Sequence, residues 1–518
     1  MGRSRRESIV RKNSGSSAHD DPNAELLERI RQLEEENNRL KGEIETYKEE
    51  IDIFKEVLKS KGLDAEEVLD QHKELLRRVN MNSTNSSKPP SSDGYRKPAP
   101  RSRRVKSGLK RGGQPGHKGH HMPLPHDSDE VVLHYPERCE TCRHLGECAE
   151  KGFSCQESRY VVDLIMDTSV TEHRVLRHEC CPISDAPVAG SFPSGVSAHV
   201  QYGDTVAVVA GLLNTHGAVS DSRISSLMRS MFGITISPGT VVSMVSRCAE
   251  RVSGTIEEIR ARLIDSEVGH FDETGARMNG KLHWVHCSSS EQYTLLTMSS
   301  KRGVDGMMEN GVLPEFKGTV IHDFWRPYWR FDVRHGMCGA HLLRELTGIR
   351  EMEPEHEWPI RLMNHLMFMK TAKEFAQADG KESLSTESIE WLDAEYDRIL
   401  ALADEECPSP PEPAVKKRGR RKRGKERSLI ERFRDHKDEI CLFVHDFTIP
   451  FDNNQAERDV RNVKTKVKVA GCFRSSDGAD DYLRIMSYLG TGRKHGVDPF
   501  TALTAAFRNQ SKIVLERS

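Results

Sequence analysis

The stretch VGHFD at residues 268–272 is an apolar run that ends in a carboxylate, and GTVIHD at residues 318–323 repeats this pattern. Each run has the length and side-chain content of a short buried strand. Carboxylates that converge from separate elements make an oxygen-ligand site of the kind that Mg²⁺ and Mn²⁺ prefer. The two runs therefore place a candidate metal site at Asp272 and Asp323.

The residues around these runs predict a sheet. We expect strands at 268–272, 281–287 and 293–298, with Asn279-Gly280 as the hairpin turn between the first two. A short helix at 304–308 precedes a fourth strand that ends at Asp323. Three hairpin-linked strands, a crossover helix and a fourth strand are typical of the start of an RNase H-like core. In that arrangement the ends of the first and fourth strands are neighbours.

A third carboxylate, Glu457, lies near the start of a predicted helix from 453 to about 469. Asp452 and Gln455 fit a capping box at its beginning. At helical spacing the helix has an apolar stripe (Ala456, Val460, Val463 and Val467) and an adjoining charged flank (Glu457, Arg461, Lys464 and Lys468). Taken alone, this pattern equally fits a solvated flank beside a core stripe. Together with the two aspartates it favours a third metal ligand.

Three such acids support a specific chemistry. Two divalent ions held by carboxylates activate in-line attack on a phosphodiester. Basic segments elsewhere in the chain make DNA the expected substrate, so the residues indicate DNA strand cleavage and joining by Asp272, Asp323 and Glu457.

Composition bounds the remaining possibilities. The 518 residues are enough for several domains, and 77 Lys and Arg nearly balance 79 Asp and Glu, so the charge is informative only locally. No apolar stretch approaches membrane-spanning length and no signal peptide is visible, so we expect a cytoplasmic, nucleoid-associated protein without membrane contact. In that compartment the 12 cysteines are thiols or metal ligands rather than disulfides.

The N-terminal part predicts an association module. Residues 1–22 are polar and read as a disordered tail, and 23–80 read as a coiled coil followed by a second helix. One heptad position holds Leu26, Leu33, Leu40, Tyr47 and Phe54, and the other holds Ile30, Asn37, Ile44, Ile51 and Leu58. This pattern favours a parallel homodimer. The alternative is a single amphipathic helix that packs on its own chain.

Residues 81–126 form a predicted linker rich in Gly, Pro, Ser and basic side chains. Nine Lys or Arg and no acid occur between residues 96 and 118. The candidate DNA contacts in this linker are Arg103, Arg104, Lys110, Arg111, His117 and Lys118. They would hold phosphates without reading bases. A flexible tether is the alternative role.

Residues 127–200 are predicted to be a Cys-rich, zinc-finger-like module. Cys139-x-x-Cys142 is a half-site for Zn²⁺. The candidate partners are Cys180 and Cys181, with Cys148 or Cys155 as further thiols. The alternative is a set of reduced, partly buried thiols without metal.

The spacing of apolar residues divides the rest of the chain into helical regions and the two parts of the core. Residues 201–262 read as helices, with Ser237 as an N-cap, and fit either a helix-turn-helix or a supporting helical bundle. Residues 263–350 form the first part of the core and 431–518 complete it. Between them, 351–430 form a helical insertion, with helices at 358–378 and 388–403. A basic loop at 408–425 is either a DNA-facing arm or a plain surface loop.

The ordered motifs resemble those of DDE transposases of the insertion sequence 66 family over residues 75–510. They are NSSKPPSSD at 85–93, GQPGHKG at 113–119, Cys139-x-x-Cys142, DETG at 272–275, HD at 322–323, AHLLREL at 340–346 and NNQAER at 453–458. The resemblance implies that Asp272, Asp323 and Glu457 are the metal ligands. It also implies hydrolysis at transposon ends, attack of the freed 3′-OH on target DNA, and accessory proteins of the element as partners. The chain departs from the pattern where Cys180-Cys181 replaces a spaced cysteine pair.

Together these features predict a multidomain α/β protein. It would have an N-terminal coiled coil, a Cys-rich zinc-binding-like module, a helical DNA-binding region and an RNase H-like catalytic core with a helical insertion. Two rival functions are a DNA-binding or regulatory relative without catalysis, and a nuclease without joining activity.

Some residue roles stay open in the sequence. Asp272 is followed by Glu273, and either could bind metal; the position of the motif favours Asp272. His341 and Arg344 lie about one helical turn apart and are candidate contacts to phosphate, although a structural His is an equal alternative. Arg458 completes the candidate DNA contacts beside Glu457.

Overall fold

The computed structural model describes residues 81–82, 85–86, 127–147, 155–162, 164, 166–179, 188–409 and 424–516. The chain divides into two compact units, Met1–Met81 and Asn82–Ser518. The predicted coiled coil, most of the basic linker, Cys180, Cys181 and most of the basic loop lie outside the described residues.

The centre of the second unit is a five-stranded mixed sheet with the order β5-β4-β3-β6-β7. Its strands are β3 (Val268–Met278), β4 (Lys281–Ser289), β5 (Thr294–Ser299), β6 (Thr319–His322) and β7 (Arg334–Met337). β3, β4 and β5 pair antiparallel through two hairpins, whereas β6 pairs parallel with both β3 and β7. A separate two-stranded ribbon consists of β1 (Arg177–His178) and β2 (Val188–Ala189).

The first hairpin forms where the sequence predicts it. Asn279 and Gly280 adopt φ values of 47° and 76°, which are the left-handed conformations that a type I′ turn requires. β3 is longer than predicted because it stays paired with β4 from His270 to Met278.

Thirteen α-helices occur in the described part of the chain. They are α1 (Glu137–Glu140), α2 (Asp204–Asn214), α3 (Asp221–Phe232), α4 (Pro238–Ile264), α5 (Val304–Asn310), α6 (Gly339–Met352), α7 (Trp358–Ala378), α8 (Thr386–Glu406), α9 (Lys425–Asp435), α10 (Lys437–His445), α11 (Asn454–Ala470), α12 (Ser476–Lys494) and α13 (Pro499–Phe507). Short 3₁₀ turns occur at Arg326–Arg330 and Ser511–Leu515. None of the described helices is long and apolar enough to cross a membrane.

Two helical layers cover the antiparallel part of the sheet. On one face, α11 and α12 pack on β3, β4 and β5 through a cluster that includes Ala276 and Val460. On the other face, α4 and its neighbours form a larger cluster that includes Phe271. Ser237 caps α4, as predicted, by accepting from the backbone N–H of Thr240 at 3.0 Å. One stripe of α4 is buried in this core, while its role in DNA binding stays a prediction.

The helices of the predicted insertion pack in a hydrophobic cluster that they share with the sheet and with α6, α9 and α10. α7 matches the predicted bounds, and α8 extends the predicted helix at both ends. Trp358, Tyr396 and Phe433 are completely buried there, in a cluster that also reaches Ile321 of the sheet. The insertion is therefore packed directly onto the strand that precedes Asp323.

Candidate catalytic site

The sheet register brings Asp272 and Asp323 to the same level. β3 and β6 run parallel, and their last paired residues are His270 and Ile321. Each acid follows two residues later on its own chain segment, so the register places the two side by side. The prediction that Asp272 ends its strand is wrong, because β3 continues to Met278. Asp272 lies instead inside β3, two residues after its last pair with β6.

The pleat of β3 separates Asp272 from Glu273. Ala276 packs in the cluster beneath α11, so Asp272, four positions earlier, faces that same side. Glu273 faces the opposite side, where its Oε1 accepts from Nε and Nη2 of Arg302 at 3.0 and 2.7 Å. Its Oε2 accepts from the hydroxyl of Tyr328 at 3.0 Å. Both oxygens of Glu273 are thus engaged by protein groups, which favours Asp272 as the metal ligand.

Asn453 fixes the start of α11 against β3. Its Nδ2 donates to the backbone oxygen of Phe271 at 2.7 Å, and its Oδ1 lies 3.0 Å from Nδ1 of His270. Its backbone N–H donates to Sγ of Cys338 at 3.2 Å. Glu457 follows one helical turn later, so these bonds to the residues before Asp272 determine where Glu457 lies.

The predicted capping box at this helix is wrong. Asp452 accepts from the N–H of Asn454 at 3.0 Å, which is a tight local turn. Gln455 does not bond back to the cap, because its Nε2 donates to the backbone oxygen of Ser290 at 3.3 Å. The buried Asn453 contacts take over the task of positioning the helix.

Arg344 of α6 pairs with Glu457. Its Nη2 lies 3.4 Å from Oε1 of Glu457, and its Nε donates to the backbone oxygen of Ala340 at 3.2 Å. The side chains of Arg344 and Glu457 are 17% and 30% exposed. Arg344 therefore joins α6 to α11 beside the candidate site rather than extending freely toward solvent.

The acids repel one another at this position. Burial raises the pKa of Asp272 well above its ordinary value, and the charges of Glu273, Asp323 and Glu457 raise it further, against the opposing charge of Lys464. The cluster therefore holds more negative charge than its neighbours neutralise.

Asp323 and Glu273 are affected in the same direction. Burial raises the pKa of Asp323, although one of its oxygens accepts from the N–H of Trp325 at 3.0 Å. Burial and the charge of Asp323 raise the pKa of Glu273 to about 7, against the effects of Arg302 and Tyr328.

The donor set fits a divalent cation. As they stand, no three His, Cys, Asp or Glu side chains in the described part of the chain are gathered closely enough to hold an ion. The excess negative charge on Asp272 and Asp323 is nevertheless what a cation would neutralise. Carboxylate oxygens are the ligands that Mg²⁺ and Mn²⁺ prefer.

Two models of known protein families match parts of the chain. The model of the transposase IS66 family matches residues 205–481, which is more than half of the chain and includes Asp272, Asp323 and Glu457. The chain belongs to the IS66 transposase family. A second model, for a family of unknown function (DUF6444), matches residues 20–123. No curated protein matches the chain. Family membership makes the protein a transposase, which acts on DNA and generally uses divalent metal ions.

The transposase carries its predicted cations along one flank of α11. Arg458, Arg461 and Lys468 are exposed, and Arg458 donates to Oε1 of Gln455 at 3.0 Å. Lys464 is half-buried, and its charge acts on the pKa of Asp272. The flank thus continues the positive charge from the candidate site to the surface.

His341 behaves as a neutral side chain. Burial and the charge of Arg344 lower its pKa to about 3. Its Nδ1 is buried without a hydrogen-bond partner among the described residues. A neutral imidazole can donate one hydrogen bond to a phosphate but supplies no positive charge. Phosphate binding by His341 stays a prediction.

Two predicted groups of site residues lie partly or wholly outside the described residues. Cys139 is half-buried and Cys142 exposed, with the N–H of Cys142 donating to the oxygen of Cys139 at 3.1 Å. Cys180 and Cys181 lie outside the described residues, as do the six basic candidates Arg103, Arg104, Lys110, Arg111, His117 and Lys118. Zinc and linker DNA contacts therefore stay predictions.

Sequence reasoning missed the partners that hold the acids. Arg302 and Tyr328 bind Glu273. Neither residue lies in a quoted motif, so the sequence offers no sign that they contact an acid. Asn453 belongs to a quoted motif, but the motif gives no sign of its contacts with β3. Such partners come from distant segments, so only the folded sheet brings them together.

Proposed function

We propose that this protein is a DDE transposase that hydrolyses DNA at transposon ends and joins the freed 3′-OH to target DNA. The observation that supports the proposal most is the register of β3 and β6, in which Asp272 and Asp323 each follow the last paired residue by two positions. The contact of Asn453 with β3, one turn before Glu457, supports it as well. Membership of the transposase family supports the same chemistry.

We also infer an RNase H-like core. The order β5-β4-β3-β6-β7, with two antiparallel hairpins followed by two parallel strands, supports this inference. Helices cover both faces, as a mixed sheet of this size requires. The insertion between Asp323 and Glu457 then accounts for the long interval between these acids in the sequence.

Asp272, Asp323 and Glu457 would hold the Mg²⁺ or Mn²⁺ ions. When bound, such ions lower the pKa of the attacking water or hydroxyl and neutralise charge on the phosphate. The protein's own groups have separate tasks. Arg344 orients Glu457, and Lys464 and the exposed cations of α11 attract the phosphates of the DNA strand.

The remaining parts of the proposal concern assembly. The coiled coil in the first part of residues 23–80 would pair two protomers so that both transposon ends are held together. The basic linker and a zinc-binding Cys-rich module would bind these ends, in a complex associated with the nucleoid. Accessory proteins of the element are candidate further partners.

Strand cleavage and joining on a labelled duplex from the element's own end tests the proposal. We expect Asp323→Asn and Glu457→Gln each to lower both activities on the order of 10³-fold, because metal ligands act as a unit. DNA affinity should be retained, because neither acid attracts phosphate. Asp332→Asn is the matched control, since Asp332 is exposed and lies, like Asp323, in the segment between β6 and β7.

Two outcomes would contradict the proposal. If the wild type binds end DNA but neither cuts nor joins it with Mg²⁺ or Mn²⁺, the DNA-binding, non-catalytic alternative is favoured. If the wild type cuts but never joins, the protein is a nuclease of the same fold.

A further inference from the structure

The guanidinium of Arg302 lies over two indole rings. Arg302 belongs to the short connection between β5 and α5. Its Cζ lies 4.7 Å from the ring centre of Trp284 and 4.1 Å from that of Trp325. Its Nε and Nη2 both donate to Oε1 of Glu273. One flat group thus contacts β4, β3 and the segment that follows β6.

Two contacts of Arg302, with Glu273 and Trp325, lead to candidate metal ligands. Glu273 is the sequence neighbour of Asp272. Trp325 follows Asp323 by two residues, and its N–H donates to Oδ1 of Asp323 at 3.0 Å. Arg302 is therefore linked to each aspartate through one intervening residue, Glu273 for Asp272 and Trp325 for Asp323. Glu273 meets Arg302 on the face of the sheet opposite α11.

Tyr328 closes the arrangement. Its hydroxyl donates to Oε2 of Glu273 at 3.0 Å, and its ring stacks on His322 with centres 4.6 Å apart. His322 is the last residue of β6, directly before Asp323. Tyr328 thus makes a second link between β3 and the end of β6, although these strands are no longer paired at this level.

We infer that Arg302 is a positioning residue that holds the segments carrying Asp272 and Asp323 against each other through Glu273, Trp325 and Tyr328. This inference rests on the proposed function, because it assigns Asp272 and Asp323 a shared cation. Loss of the β3–β6 backbone pairing after His270 leaves the two acids without direct support, and their like charges push them apart. The clamp, defined as Arg302, Glu273, Trp325 and Tyr328, opposes that separation.

Direct phosphate binding is the competing role for Arg302. Its side chain is 39% exposed, but its Nε and Nη2 are bonded to Glu273 and the centres of two indole rings lie 4.1 and 4.7 Å from its Cζ. An arginine that grips phosphate with two parallel hydrogen bonds would not have Nε and Nη2 both committed to a carboxylate. The two roles differ in what Arg302→Lys would change.

Binding of Mn²⁺ to the full-length protein, measured by calorimetry without DNA, tests the clamp. Arg302→Lys keeps the charge but loses the fork and the stacked plane. We expect it to weaken Mn²⁺ binding about tenfold or more, the usual effect of removing a group that orients metal ligands. Tyr328→Phe keeps the ring and should weaken binding roughly two- to tenfold, the effect of one hydrogen bond. DNA affinity should stay within about twofold for both variants, since neither removes a positive charge.

Lys301→Gln is the matched control because it removes an exposed positive charge one residue away from the clamp. It should leave Mn²⁺ binding unchanged. In strand cleavage, raised Mn²⁺ should restore the Arg302→Lys rate, which a merely misfolded site would not allow. Circular dichroism and thermal unfolding confirm that each variant is folded.

The outcomes separate this inference from the proposed function. If the wild-type protein binds no Mn²⁺, the proposal that Asp272 and Asp323 share a cation is wrong. Wild-type binding together with unchanged binding by Arg302→Lys and Tyr328→Phe overturns the clamp alone. Loss of DNA affinity with unchanged Mn²⁺ binding assigns Arg302 to phosphate and also overturns the clamp.

Discussion

Asp272 and Glu273 are adjacent acids whose positions in the pleat give them different tasks. Asp272 faces the start of α11, where like charges surround it and its pKa is raised. Glu273 faces the clamp, where protein donors engage both of its oxygens. A carboxylate kept without enough compensating charge lowers the stability of the metal-free protein, which is a common cost of binding sites.

We expect Asp272→Asn to stabilise the metal-free protein by about 0.5–2 kcal/mol at pH 8. An acid whose pKa is raised by folding binds protons more tightly in the native state, so its ionisation lowers stability as the pH rises above the ordinary 3.8. The advantage of the variant should therefore be small near pH 4 and larger at pH 8. Thermal unfolding of both proteins in EDTA measures this difference, and a variant that is less stable at pH 8 would contradict the proposed charge excess.

The same variant should lose stabilisation by metal. Mg²⁺ that binds only the native protein raises its melting temperature with concentration. Wild type should show this rise, and Asp272→Asn should not. Equal rises in the two proteins would place the bound ion elsewhere.

At the scale of elements, α11 depends on how its first residue is anchored. Asn453 is 3% exposed and bonds to two residues of β3 and to Cys338. Asn454, the next residue, is exposed, and no side-chain bond of Asn454 is found within the described part of the chain. Two adjacent asparagines thus offer a matched comparison of the anchored and the unanchored side chain.

We expect Asn453→Ala to destabilise the protein by about 2–3 kcal/mol, because it leaves buried partners on β3 unsatisfied. Asn454→Ala should change stability by less than about 0.5 kcal/mol, as surface substitutions usually do. Urea unfolding measures both values. Similar values for the two variants would show that the contacts with β3 do not position the helix.

Much of this architecture was predictable from local patterns. The hairpin at Asn279-Gly280 and the apolar stripe of α11 were predicted, because turn chemistry and periodicity are properties of adjacent residues. The fourth strand was predicted to end at Asp323, one residue beyond its observed end at His322. The end of β3 was not predictable, since pairing with β4 extends a strand past a charged residue. The clamp was not predictable either, because Arg302 meets Glu273 only after the sheet has formed.

At the scale of the whole molecule, the regions of the chain that match the two family models contact each other at α6. Asn85 lies in the region of the family of unknown function, and its Nδ2 donates to Oε2 of Glu351 at 2.9 Å. Its Oδ1 accepts from the N–H of Asn82 at 2.9 Å, and Ser86 Oγ donates to the oxygen of Asn82 at 2.5 Å. Asn82, Asn85 and Ser86 form what we call the docked segment. α6 also carries Arg344, so the docked segment lies on the helix that reaches Glu457.

Gly348 of α6 makes this docking sterically allowed. A Cβ at Gly348 would lie 2.1 Å from the backbone oxygen of Asn85, which is far inside contact distance. Replacing Gly by Ala inside a helix normally stabilises it by about 0.5–1 kcal/mol. Gly348→Ala should instead displace the docked segment, because the helix backbone cannot yield while the surface segment can.

Gly254→Ala is the control, since Gly254 lies inside α4 and no atom would lie within 4 Å of its added Cβ. It should stabilise the protein as a helical Ala does. Hydrogen exchange followed by mass spectrometry distinguishes the two variants. Peptides that cover residues 82–86 should exchange faster in Gly348→Ala only, while α6 itself stays protected because its internal hydrogen bonds are unchanged. If Gly348→Ala were as stabilising as Gly254→Ala and left exchange at residues 82–86 unaltered, the missing side chain of Gly348 would not be what allows the docked segment to lie on α6.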